Sequence, residues 1–185
     1  VQEDPLRLDR LRIDCARLLD KTPQAKKRVL HITHSLGGGT ETFVDRLKGR
    51  LRDIGWASYV LRAEERKFVY VDECPEQYPN LRKIDINYDV DKFKCLLQGL
   101  KIDYVHVHHL IDFSDEFSDL IVAVCQELGL KITFTVHDYF SFCPKIKVFK
   151  DGKVCCNFDI SRCGHCCRLS QDRSPWRQRL EYARL

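Results

Sequence analysis

The segment RVLHITHSLGGGTETFVDRLKGRLRDIG (residues 28–55) constrains the fold of this chain more than any other. Residues 29–33 form a short apolar run typical of a strand, and three glycines follow it, at Gly37, Gly38 and Gly39. We expect Thr40 to cap a helix, because apolar residues recur at helical spacing from there to Gly55. The segment therefore predicts a strand, a glycine loop and a helix in succession.

The same alternation continues along the chain. Further strands are predicted at residues 57–61, 67–73, 81–86, 102–110 and 131–139, and further helices at residues 89–100 and 114–128. Strands that alternate with helices predict an α/β fold, with a Rossmann-like parallel sheet covered by helices on both faces. With 44% hydrophobic and 31% charged residues, the composition excludes a disordered or fibrous chain. No apolar run approaches the ~20 residues that span a bilayer.

Both ends of the chain bear on its domain organisation. Residues 6–20 predict an amphipathic helix, which either packs from outside the main domain or leads in from a preceding one. We therefore divide the chain into residues 1–26, a helix and linker, and residues 27–185, the main domain. The chain has no Met and ends on WRQRLEYARL, which is typical of a helix in mid-course, so we expect a fragment. No apolar signal core precedes residue 15, which favours the cytoplasm.

Cysteines are concentrated in one region. Six of the ten lie in residues 143–167, after a hairpin predicted to turn at Asp151-Gly152. In a reducing compartment such a cluster favours metal over disulfides. A Cys-x-x-Cys pair with two further thiolates can complete a tetrahedral, structural zinc site, and disulfides or free thiols remain alternatives. The zinc ligands we predict are Cys143, Cys155 (or Cys156), Cys163 and Cys166. The other four cysteines are predicted to be small buried hydrophobes: Cys15, Cys74, Cys95 and Cys125.

Three groups of polar residues fall at predicted carboxyl ends of strands, where open parallel sheets bind ligands. The glycine loop can bring backbone N–H groups close to a diphosphate, or can be a simple tight turn. His106 and His108 are expected to share one face of a strand, with His109 on the other. For these three, cleft lining or structural hydrogen bonding is favoured over a metal site. His137, followed by Asp138, can donate a hydrogen bond to a hydroxyl or phosphate, or can be an ordinary loop histidine.

Three segments in order, RVLHITHSLGGGTETFVDRL, DYVHVHHL and ITFTVHDYFSFCP, resemble the retaining family-four glycosyltransferases of GT-B architecture. The resemblance covers roughly residues 27–170, and the VHDYxxxCP pattern is typical of members that build bacterial surface polysaccharides. In that family two Rossmann-like domains face each other across a cleft. The N-terminal domain mainly binds the acceptor, and the C-terminal domain holds the nucleotide-sugar with a Glu-x7-Glu motif. The resemblance implies that this chain is the N-terminal half and is inactive alone.

The resemblance also assigns residues. It places the donor diphosphate beside Gly37, Gly38, Gly39 and Glu41. It places the acceptor, a glycan or lipid-linked saccharide, beside His108, His109 and Asp138. His137 would lie beside the transferred sugar and help to stabilise the transition state. The family's transfer needs no catalytic metal, and similar cysteines recur after its HDY segment, which implies a structural role for the zinc. Thr40 separates the glycines from Glu41, a departure from the family's usual pattern.

The C-terminal segment is basic and leaves other functions open. Residues 142–185 hold ten Lys or Arg against four acidic residues, in a chain of net charge +4. A solvated face is the simplest interpretation, and peripheral association with the inner face of a membrane is another. A zinc-binding nucleic-acid module is an alternative, but few aromatic residues interleave with the basic ones, so we expect no nucleic-acid partner.

A nicotinamide-dependent oxidoreductase domain is the remaining alternative. Glu64 and Glu65 follow the second predicted strand, where a ribose-binding acid would lie. Against this function, Thr42 stands where the dinucleotide fingerprint has its third glycine.

Overall fold

We describe the fold from a computed structural model, which covers residues 6–64, 68–72, 77–84, 90–137, 149–150 and 153–154. The helices are α1 (Arg7–Leu19), α2 (Gly39–Asp53), α3 (Pro79–Arg82), α4 (Val90–Gly99) and α5 (Asp115–Glu127). The strands are β1 (Lys27–Ile32), β2 (Trp56–Glu64), β3 (Phe68–Val71), β4 (Tyr104–Val107), β5 (Lys131–Phe134), β6 (Phe149–Lys150) and β7 (Lys153–Val154). The chain divides into two compact units, Val1–Thr135 and Val136–Leu185.

The first unit is built on a five-stranded sheet of order β3-β2-β1-β4-β5. β2, β1, β4 and β5 are parallel, which confirms the α/β prediction. β3 is antiparallel to β2, so the sheet is mixed and the prediction of a purely parallel sheet needs correction. The physical reason is the short connection, residues 65–67, because a parallel neighbour requires a long crossover.

The strand predicted at residues 81–86 is wrong over its described part, residues 81–84, and residues 85–86 lie outside the described ranges. Residues Pro79–Arg82 form the short helix α3, with Pro79 in its first turn, where proline is favoured. Leu81 and Ile84 are both buried. In the described part of this segment, pairing with the sheet is confined to Ile84, which exchanges two backbone hydrogen bonds with Val69. A helical turn followed by one bridge therefore buries the apolar residues that suggested a strand.

The two faces of the sheet differ sharply in polarity. The core face carries Leu30 and Ile32 of β1 and Val105 and Val107 of β4, which join the hydrophobic core. The alternate residues form the polar face, which includes His31 of β1. Two crossovers start near the centre of the sheet and run in opposite directions. The β1–α2–β2 crossover runs toward the β3 edge, and the β4–α5–β5 crossover runs toward the β5 edge. Right-handed connections therefore place α2 and α5 on opposite faces, with α5 on the core face and α2 on the polar face.

Helix α1 belongs to the core of the first unit. Its residues Leu11, Cys15 and Leu18 are buried in the hydrophobic cluster that also holds Phe93 of α4. The two helices approach closely at Gly99, where an added Cβ would lie 2.9 Å from the Cβ of Cys15. The helix at residues 6–20 therefore packs within the core of the first unit.

Cysteines in the described ranges behave as small apolar side chains. Cys15, Cys95 and Cys125 are buried, which confirms the prediction for these three. Burial raises the pKa of the Cys125 thiol to about 11. Cys74 and the predicted zinc ligands lie outside the described residues. The predicted hairpin of the second unit is confirmed, since β6 pairs antiparallel with β7.

The lengths of the described helices can be compared with the thickness of a bilayer. At 15 residues, α2 is the longest helix in those ranges. A helix that spans a bilayer needs about 20 mostly apolar residues. Among the described residues, no helix is long and apolar enough to cross a membrane.

Candidate functional site

The strand order reverses at β1, which lies between β2 and β4. The loops after β1 and β4 therefore lead away from each other, and the crevice between them is where open α/β sheets bind ligands. Asp112 joins the two loops, since its Oδ2 accepts hydrogen bonds from the backbone N–H (3.2 Å) and the hydroxyl (3.3 Å) of Ser35. The sequence analysis did not single out either residue.

The glycine loop lies in this crevice, at the N-terminus of α2. Gly37 and Gly38 have φ angles of 75° and 84°, which other residues adopt only with strain. A Cβ added at Gly38 or Gly39 would meet no atom within 4 Å. Helix α2 begins at Gly39 with Gly38 as its N-cap, so the prediction of Thr40 as the cap is wrong. The loop presents open backbone at the positive end of a helix dipole, where anions bind favourably.

The guanidinium of Arg62, on β2, connects three groups beside the crevice through hydrogen bonds. Its guanidinium donates to Asp72 (2.6 Å), to Glu41 (3.1 Å) and to the backbone carbonyl of His34 (2.5 Å). The arginine is only 8% exposed, and a buried cation requires such partners. Glu41, which the resemblance places at the donor diphosphate, is bound to this arginine. The sequence signal for Arg62 was a single charge inside the apolar run YVLRA.

A cavity of about 540 Å³ opens at the same edge of the sheet. Its lining includes Ser35, Leu36, Glu64, Tyr70, Arg82 and Asp112. Burial, together with the charge of Asp72, raises the pKa of Tyr70, so its hydroxyl stays protonated and can donate a hydrogen bond. Two carboxylates, one guanidinium and two hydroxyls converge here. Such a set suits a polar, polyhydroxylated ligand.

The predicted alternation of the β4 histidines is confirmed. The rings of His106 and His108 lie on the same side of the strand with centroids 4.0 Å apart. His109 contacts His34 instead, with ring centroids 4.8 Å apart. His108 and His109 are 1% and 5% exposed, so their rings are enclosed by protein in the described structure.

His34 and His109 fix the two loops of the crevice in the same way. Nδ1 of His34 accepts the backbone N–H of Leu36 at 3.1 Å. Nδ1 of His109 accepts the backbone N–H of Ile111 at 3.2 Å. An Nδ1 that accepts a hydrogen bond belongs to a neutral ring with its proton on Nε2. Each histidine therefore stabilises its own loop by accepting a hydrogen bond from the backbone N–H of the residue two positions later.

His31 is a residue that the sequence analysis missed. It is paired in register with His106, and its Nδ1 lies 3.0 Å from Nε2 of His108. Burial lowers the pKa of His31 to about 3, with smaller contributions from His106 and Lys48, so the ring is neutral. We call His31, His106 and His108 the histidine cluster. The sequence around a single histidine in an apolar strand does not reveal which residues of a neighbouring strand will lie beside it.

His137 follows β5 and is half-buried. It belongs to the second compact unit, whereas the glycine loop, the cavity and the histidine cluster belong to the first. Asp138 and the cysteines predicted to bind zinc, Cys143, Cys155, Cys163 and Cys166, lie outside the described residues. The glycine loop, Glu41, His108 and His109 thus lie within one unit, around the point where the strand order reverses.

Comparison with known proteins adds no relative. No family model, no curated protein and no solved structure matches this chain.

Proposed function

We propose that this chain is the N-terminal, acceptor-side domain of a glycosyltransferase, which moves a sugar from a nucleotide-sugar to a glycan or lipid-linked saccharide acceptor. The observation that carries the proposal is the position of the glycine loop. It caps α2 where the strand order reverses, beside a cavity lined by hydroxyl, carboxylate and guanidinium groups. The resemblance of three ordered segments to family-four glycosyltransferases supports the same function.

The glycine loop suits the diphosphate of the donor. The first N–H groups of α2 have no partners within the helix, and the helix dipole makes this end positive. Because no side chain projects from Gly38 and Gly39, an oxygen can approach the backbone closely. Arg62 neutralises Glu41 at this end. In this proposal the leaving diphosphate is stabilised here and by the C-terminal domain of the complete enzyme.

The cavity suits the acceptor. Glu64 and Asp112 can accept hydrogen bonds from sugar hydroxyls, while Tyr70 and Arg82 can donate to sugar oxygens. A volume of about 540 Å³ is within the ~300–1,000 Å³ of small-molecule sites. By the resemblance, His137 acts on the transferred sugar, with Asp138 on the acceptor side.

The decisive experiment measures nucleoside diphosphate release. The intact enzyme that contains this chain is incubated with a panel of nucleotide-sugars and candidate acceptors. We expect release from one donor, and a loss of at least 100-fold with His137→Ala, since general acid–base or electrostatic groups contribute about 10²–10⁴-fold. Gln126→Ala, at an exposed position of α5, is the control and should retain the parent rate. Residues 1–185 alone should give no turnover. Release that is unaffected by His137→Ala would contradict the role given to this histidine, and no release from any donor would contradict the function.

One observation favours a second candidate, a nicotinamide-dependent oxidoreductase domain. Glu64 ends β2 and lines the cavity, the position of the ribose-binding acid in dinucleotide domains. NADH binding by residues 1–185, followed by nicotinamide fluorescence and abolished by Glu64→Gln, would support it. We expect no binding, because the third glycine of the fingerprint is replaced by Thr42.

A further inference from the structure

The three members of the histidine cluster meet on the polar face of the sheet. His31 and His106 are opposite each other on neighbouring strands. His108 follows His106 by two residues and so shares its face. One ring nitrogen from each histidine lies within 4.8 Å of those of the other two. Two strand residues, His31 and His106, and the residue directly after β4, His108, therefore bring three imidazoles together.

In two of these rings, Nε2 lies within hydrogen-bond distance of a side-chain hydroxyl. Nε2 of His31 lies 3.3 Å from Oγ of Ser58, and Nε2 of His106 lies 2.7 Å from Oγ1 of Thr135. If each Nε2–H donates to its hydroxyl oxygen, Nδ1 of each ring keeps its lone pair for another partner. Metal-binding histidines commonly donate their second N–H in this way, which fixes the tautomer and the ring orientation.

We propose that His31, His106 and His108 form a binding site for Zn²⁺, through Nδ1 of His31, Nδ1 of His106 and Nε2 of His108. Neutral imidazoles are good ligands for this ion, and three of them with an open fourth position form a known type of zinc site. His31 and His108 are buried and His106 is half-buried, which leaves the fourth position for water or an exogenous ligand. The site is separate from the predicted cysteine site and independent of the glycosyltransferase proposal.

The fit requires side-chain rotations, because a metal ion lies in the plane of each ligating imidazole, and the rings of His106 and His108 are tilted by 31° with centroids 4.0 Å apart. Zn–N bonds of about 2.0–2.1 Å place tetrahedral ligands about 3.4 Å apart. The nitrogens of His31 and His108 are 3.0 Å apart, and one nitrogen of His106 lies within 4.8 Å of a nitrogen of each of the other two, so the rings must adjust to reach the tetrahedral spacing. Lys48 of α2 acts on His31 as an unfavourable positive charge.

A metal-free arrangement can also satisfy these rings, because one shared proton would link His31 and His108 at 3.0 Å. One measurement distinguishes the two arrangements. Only the metal site predicts high-affinity binding of a divalent ion that depends on all three histidines. The ion would join β1 to β4 directly, so it should also raise the melting temperature of the protein.

The first experiment titrates the metal-stripped chain of residues 1–185 with Co²⁺ and then displaces it with Zn²⁺ in competition with a chromophoric chelator. Imidazole ligation gives weak visible d–d bands, whereas thiolate ligation adds an intense near-ultraviolet band, so the cysteines are read separately. We expect one imidazole-type ion per chain. His31→Gln and the half-buried His106→Gln should each lower its affinity at least 100-fold.

His109→Gln is the matched control, since its ring packs against His34 and it is not one of the three proposed ligands, and it should retain the parent affinity. Circular dichroism of His106→Gln reports whether the variant is folded. Ion binding that is identical in the parent, His31→Gln and His106→Gln, with only the thiolate band, would overturn the proposal.

A second experiment tests the ring orientations. Ser58→Ala and Thr135→Val each remove a hydroxyl that holds a ligand ring, and such partners typically contribute about 10–100-fold in metal affinity. We expect losses in that range for both variants. Thr133→Val removes an exposed hydroxyl from β5, two residues before Thr135, and should leave the metal affinity unchanged. Equal affinities in all four proteins would contradict the assigned nitrogens.

Discussion

At the scale of single residues, burial decides which groups can carry charge. Arg62 keeps its charge in the interior because two carboxylates and a backbone carbonyl accept its hydrogen bonds. His31 has no carboxylate among its described contacts, and burial lowers its pKa to about 3. One side chain is thus a buried cation and the other a buried neutral base, although both interrupt apolar strands.

The His31 pKa predicts a pH dependence of stability. The folded-state pKa of about 3 lies below the unfolded value of 6.5, so the unfolded state binds more protons as the pH falls below 6.5. Stability is therefore full above pH 6.5 and is lost below it, at about 1.4 kcal/mol per pH unit, or about 2 kcal/mol at pH 5. Urea unfolding of the protein in chelator at pH 7.5 and pH 5 measures this loss.

The comparison that isolates His31 is a pair of variants. His31→Asn should lose about 2 kcal/mol of the difference between the two pH values. His137→Gln, which removes a half-exposed histidine, should keep it. The same pH difference in the parent and in His31→Asn would show that other groups cause it.

At the scale of elements, the start of α2 depends on backbone conformation more than on side-chain contacts. Gly38 has φ 84° and ψ −152°, a region that essentially only glycine occupies. Gly39 has no positive φ, although neither residue has an atom within 4 Å of an added Cβ. The two glycines therefore separate the effect of backbone strain from that of steric contact.

We predict that Gly38→Ala lowers the free energy of unfolding by about 1–3 kcal/mol, the cost of a strained backbone conformation. Gly39→Ala should change it by less than about 0.5 kcal/mol, as open positions usually do. Chemical denaturation of both variants measures the difference. Equal effects would mean that the loop relaxes to another conformation when an alanine is introduced.

At the scale of the whole molecule, the first unit has one large core on one face of the sheet. Helices α1, α4 and α5 and the core face of the sheet all contribute to it. Two residues of α1 distinguish its core side from its solvent side. Leu11 is 3% exposed, whereas Ile13, two positions later, is 52% exposed. The N-terminal helix thus stabilises the same unit that holds the crevice.

Truncation of these two residues provides the test. Leu11→Ala should lower the free energy of unfolding by about 2–5 kcal/mol, since it leaves a cavity in the core. Ile13→Ala should change it by less than about 0.5 kcal/mol. Thermal or urea unfolding of the two variants measures both values, and a negligible effect of Leu11→Ala would contradict the placement of α1 in the core.

Sequence periodicity predicted most of this architecture, because alternating strands and helices follow from local patterns. It failed at residues 81–84, where Leu81 and Ile84 satisfy a strand-like pattern but one helical turn and one bridge bury them. It also failed to find the histidine cluster and the Arg62 network. These depend on which strands are neighbours, and the pairing of His31 with His106 crosses 75 residues of chain.

The pairing of β1 with both β2 and β4 has a consequence for the order of events during synthesis. One edge of β1 can pair as soon as β2 has emerged, but the other must wait for β4, which begins about 40 residues after Glu64. At ~5–20 residues per second, the central strand keeps an open edge for roughly 2–8 s. During that time the nascent chain carries an unpaired strand that can associate with other chains, so a chaperone would be most useful to this protein in that interval.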